Sequence, residues 1–102
     1  VARGRFAEVI SRQLDLFVGD NLDLLEACDA AERAYDRADR DGAEEVFGDY
    51  QELVEDGTEI LADLRDNFAS TLDEAAAEEY ASTFNRAVEK RLPRFGLEIE
   101  DT

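Results

Sequence analysis

Two pairs of carboxylates, Glu52 with Asp56 and Glu59 with Asp63, stand one helical turn apart in an ExxxD spacing, which puts both members of each pair on one side of a helix. Hard divalent cations such as magnesium take oxygen ligands from such arrangements, so these four residues are the candidate metal ligands. Most other chemistry is excluded by residue type. The chain has no histidine, which removes Ser-His-Asp and Cys-His catalysis, HExxH zinc sites, histidine-held haem and the ExxH di-iron bundles. Its six glycines form neither GxGxxG nor a Walker loop, no GxSxG elbow occurs, and the single cysteine, Cys28, builds no zinc or iron-sulfur centre. No cofactor is expected.

In spacing, the carboxylate pairs resemble the acidic helix motifs of MazG-type pyrophosphohydrolases and of PhoU-type bundles, and the resemblance is confined to these four residues. It implies a divalent-metal-binding bundle or a metal-dependent hydrolase. Sites of that kind need carboxylates converging from two helices into a cleft, whereas these lie opposite the apolar seam of their own helix. The expectation is therefore a solvated face and no catalysis, with the metal site as the alternative.

The 102 residues carry 27 acidic and 11 basic side chains, a net charge of −16, with Lys90 the only lysine. Self-repulsion of that size opposes compaction in dilute buffer and fades at about molar salt, where the Debye length is about 3 Å. The composition resembles that of proteins from salt-in halophiles, so the charge reports the solvent rather than a partner. No basic stripe is present to displace counterions from phosphate, and direct nucleic-acid binding is not expected. No apolar run has the length of a signal peptide or membrane span, which gives the expectation of one soluble, cytoplasmic domain with no membrane contact.

The elements that would position these residues are helices. From Ala43 to Thr71 the apolar positions Phe47, Tyr50, Val54, Gly57, Leu61, Leu64 and Phe68 recur in steps of three and four, with Val46, Leu53 and Ile60 as a second row. Earlier, Ile10, Leu14, Phe17, Leu24, Cys28, Ala31 and Tyr35 follow a seven-residue repeat, which makes Cys28 a small core residue rather than a reactive thiol. The pattern predicts an all-α antiparallel three-helix bundle with helices over about 5–40, 43–70 and 73–92, the first open to a break near Gly19 that would make four. Asp41 and Gly42 are read as the first turn, and Thr71 with Glu74 as a capping box opening the last helix. Pro93 ends that helix, and residues 93–102 alternate like an extended tail with Phe95, Leu97 and Ile99 on its dry side. A polar group of Gln13, Asp20, Asn21 and Asn67 is expected at one level of the bundle, fixing register or lining a small pocket.

The helix lengths leave a gap. At about 1.5 Å per residue the third helix is far shorter than the other two, so the end formed by residues near 31–50 consists of two helices only. Tyr35, Val46, Phe47 and Tyr50 would be uncovered there, and the tail residues Phe95, Leu97 and Ile99 could fold back or be exchanged. These seven residues are the candidate protein-binding surface. The function expected is helix-mediated interaction, with a second copy of the chain or another helical protein as partner.

Overall fold

The computed structural model describes residues 4–99, with side chains through residue 96, and every regular element in that range is α-helical. There are five helices: α1 (Ala7–Asp20), α2 (Leu22–Arg37), α3 (Arg40–Ala69), α4 (Glu74–Arg91) and α5 (Pro93–Ile99). No helix among the described residues is long and apolar enough to cross a membrane.

The first helix is broken in two near Gly19, with the break itself at Asn21. The Asn21 side-chain amide donates to the Phe17 carbonyl at 2.8 Å, occupying an acceptor that continued helix would have used, while its own backbone turns to φ −127°, ψ 34°. Gly19 lies within α1 with no positive φ. The next turn also shifts. Asp39 caps α3 by accepting the Gly42 amide at 2.9 Å, so Asp41 and Gly42 belong to the first turn of the helix and not to the connection before it. At the far end of α3, Ser70 Oγ and Thr71 Oγ1 donate to the Asn67 and Phe68 carbonyls, and Asp73, not Thr71, caps α4 by accepting the Ala76 amide at 2.8 Å.

The expected extended tail is corrected to a short helix. Pro93 is its first residue, where the fixed φ suits a helix and the missing N–H would have had no partner. Gly96 permits this helix to lie against the end of α4, because a Cβ there would stand 2.7 Å from Glu89 Cα. Gly57 permits it to lie against α3, because a Cβ there would clash with the Cε1 edge of the Phe95 ring.

Side-chain contacts give the directions. Tyr35 on α2 meets Phe47 on α3, and Phe68 and Arg65 on α3 meet Tyr80 and Asn85 on α4, so α3 runs antiparallel to both. Phe6, just before α1, meets Tyr80, while Asp15 pairs with Arg91, so α1 and α4 run in the same sense. The molecule measures 50 × 24 × 23 Å, and α3, about 45 Å long at 1.5 Å per residue, runs its length. Ile10, Leu14 and Phe17, then Leu61, Tyr80, Phe84, Val88 and Phe95, form the core, with Cys28 fully enclosed. This core lies around the half of α3 that follows Glu52. The half before it is flanked by α2, with α5 reaching it at Tyr50.

Candidate functional site

Helix α2 carries alanine at 27, 31 and 34, Ala38 follows its end, and the first turns of α3 hold Ala43 and Gly48, so the seam between them at this end contains little apolar bulk. Two aromatic rings supply what there is. Tyr35 and Phe47 stand with centroids 5.8 Å apart at 52°, and they remain 45% and 48% exposed. Both point along the core-facing side of their helices, where neither α4 nor α5 reaches. Val46 beside them is half-buried. Removing apolar area from water is worth roughly 25 cal/mol per Å², so a covered pair of this kind is more stable than an open one.

Tyr50, one turn further along α3, is closed off by the chain itself. Arg94 of α5 lies over its ring at 5.7 Å and donates from Nε to its hydroxyl at 3.1 Å. The same guanidinium donates from one terminal nitrogen to Asp29 and Glu32 of α2, each at 2.9 Å. Burial works against the Arg94 charge, but the hydrogen bonds it donates to Glu32, Asp29 and Tyr50 outweigh it and hold the group even more firmly protonated than usual. Arg94 therefore ties α5 to α2 and α3 at the boundary between the core and the two-helix end. Cys28 lies under this cluster with its thiol pushed up by burial, opposed by the Arg94 charge, as befits a packed rather than a reactive thiol.

Of the seven residues expected to bind a partner, Tyr35 and Phe47 are brought together on the surface with Val46 at their edge. Tyr50 is engaged by Arg94, and Phe95 is 1% exposed, packed edge-to-face on Phe17 at 5.8 Å. Phe95 thus belongs to the core of its own chain, the folded-back one of the two arrangements open to the tail. The side chains of Leu97 and Ile99 lie outside the described residues. The polar group expected around Asn67 does not assemble: Asn67 is exposed, Gln13 accepts from the Tyr80 hydroxyl at 2.7 Å, and Asn21 serves the helix break.

The metal alternative finds its residues on the outside. Glu52, Asp56, Glu59 and Asp63 are all exposed along α3, and among the described residues no group of three or more Asp, Glu, Cys or His side chains is placed to hold an ion.

Two functional contacts escaped the sequence. Arg65, 3% exposed, crosses from α3 to Asn85 of α4 at 2.9 Å and also binds Asp66; its place four residues after Leu61 on the apolar seam was the signal. Arg94 was hidden in a stretch read only for its apolar alternation. Compared with known protein families, characterised proteins and solved structures, the chain matches none.

Proposed function

We propose that this chain is a non-catalytic helical pairing module that works in concentrated salt, with the end built from α2 and α3 as its contact surface and a second copy as its partner. The observation that carries the reading is the Tyr35 and Phe47 pair, open to solvent on core-facing sides of two helices that have no third helix beside them. Two such ends placed face to face make four helices around a shared apolar centre, an isologous arrangement in which each residue meets its own symmetry mate or neighbour. The α2 flank of the aromatic seam carries Glu32 and Asp36, Asp39 follows in the connection, and Arg40 begins α3 on the Phe47 side. Apposition of two such surfaces in dilute buffer brings like charges together, and salt removes that obstacle. The salt-rich interior that the composition points to is thus the setting in which pairing is favourable.

The test is the mass of the particle by sedimentation equilibrium in about 2 M KCl, a salt chosen from the screening argument. Wild type should be a dimer and Phe47→Glu a monomer with unchanged helicity. A wild-type monomer at high protein concentration in that salt would refute the reading.

A further inference from the structure

A second surface, independent of the pairing end, has the features of a small-molecule site. Helices α1 and α4 run side by side with a groove of 380 Å³ between them, within the lower part of the size range of ligand pockets, about 300–1,000 Å³. Ile10 and Leu14 form its floor, and Ala7, Ser11, Thr83 and Ala87 along the walls are too small to fill it. From Thr83 to Arg91 the groove runs roughly 12 Å.

Its charge is unlike the rest of the molecule. In a chain of net charge −16, residues 86–94 hold four cations, Arg86, Lys90, Arg91 and Arg94, against the single acid Glu89. Arg94 faces the other way, to Asp29 and Glu32. Arg91 borders the groove and spends its charge on Asp15 and the Ser11 carbonyl, closing one end. Lys90, also on the rim, has no ion-pair partner among the described residues. An apolar trough beside one uncompensated ammonium matches a molecule with one anionic head and one apolar chain.

We propose that the α1/α4 groove binds a single medium-chain fatty carboxylate, the alkyl chain over Ile10 and Leu14 and the carboxylate at Lys90. The occupant is one free chain and not a bilayer, because the site is a trough between two helices and the chain as a whole, at net charge −16, is repelled by anionic membranes. An acidic peptide fits less well, because its several carboxylates would meet only one groove cation without an ion-pair partner among the described residues, Lys90.

Sodium decanoate, titrated below its micellar concentration, is the probe, followed by amide shifts in nitrogen-labelled protein in salt that keeps the chain folded. The expected result is saturable binding of one molecule per chain, with shifts concentrated along 7–14 and 83–91. Lys90→Glu removes the head-group partner and Ala87→Leu fills the trough, and each should weaken binding by about tenfold or more. Lys90 is exposed and Ala87 half-buried, and circular dichroism verifies that both variants stay helical. The proposal is overturned if decyltrimethylammonium binds the same residues as tightly, if neither substitution weakens decanoate, if no saturation occurs, or if the protein takes up the anion only from vesicles.

Discussion

A methyl group added at Gly57 clashes with the Cε1 edge of the Phe95 ring, whereas one added at Gly48 meets nothing within 4 Å. Both glycines lie inside α3 and each costs the helix about 1 kcal/mol against alanine. Gly57→Ala should nonetheless destabilise, by about 1–3 kcal/mol, because Phe95 must leave its place against Phe17. Gly48→Ala should stabilise by up to about 1 kcal/mol. Urea unfolding of the two variants measures both, and equal effects would contradict the packing at Gly57. That Gly57 marks a close approach was readable from its place on the apolar seam. What approaches was not, since Phe95 is 38 residues away and no local pattern reports a partner at that distance. Tyr80 carries a second prediction at this scale. Fully buried, its phenol is raised by burial to about 12, with its hydrogen bond to Gln13 acting in the opposite direction. The fold thus favours the neutral phenol over the phenolate. Its contribution is complete below pH 10, where the unfolded phenol is also protonated, and is lost as pH rises from about 10 to about 12, an effect of order 2–3 kcal/mol. Tyr80→Phe should flatten the fall of melting temperature across that window, and a fall as steep as in wild type would show that Tyr80 does not cause it.

At the scale of elements, caps decide where the helices end. Seam periodicity located α3 and α4 to within a few residues, but it could not choose between Gly19 and Asn21, or between Thr71 and Asp73, because each choice rests on one side-chain hydrogen bond. Asp39→Ala removes the acceptor of the Gly42 amide and should cost about 1 kcal/mol. The tail was misread for a different reason. Over seven residues a period of two and a period of 3.6 place Phe95 on an apolar face equally well, and the deciding contacts, Gly96 on Glu89 and Arg94 on Asp29 and Glu32, are tertiary. Arg94→Ala should therefore loosen α5 without unfolding the bundle. Amide exchange is expected to speed up across 94–96 and at Tyr50 while Leu61 and Phe84 keep their protection. Uniform acceleration at all these sites would mean that α5 is integral to the core and not tied on by Arg94.

At the scale of the whole molecule, charge balance sets the conditions under which the rest applies. The ion pairs to Asp15, Asp29, Glu32 and Asp66 use three arginines, and every one of those four carboxylates is more than half exposed. Exposed pairs contribute little, and they offset only a small part of the repulsion from a net charge of −16. Added salt weakens both terms, but the repulsive one is larger and longer in range, so KCl should stabilise the fold. The melting temperature is expected to rise steadily between dilute buffer and multimolar KCl, and for a domain of this size even 1 kcal/mol appears as about 4–8 °C. A flat or falling curve would remove the case for adaptation to salt and weaken the setting proposed for pairing. The same measurement tests the carboxylates of α3. With Glu52, Asp56, Glu59 and Asp63 separately solvated, MgCl2 at millimolar concentration should do no more than KCl of equal ionic strength. An additional rise that disappears in Asp56→Asn would instead place an ion on that face, since four solvated carboxylates without convergence give screening and not coordination.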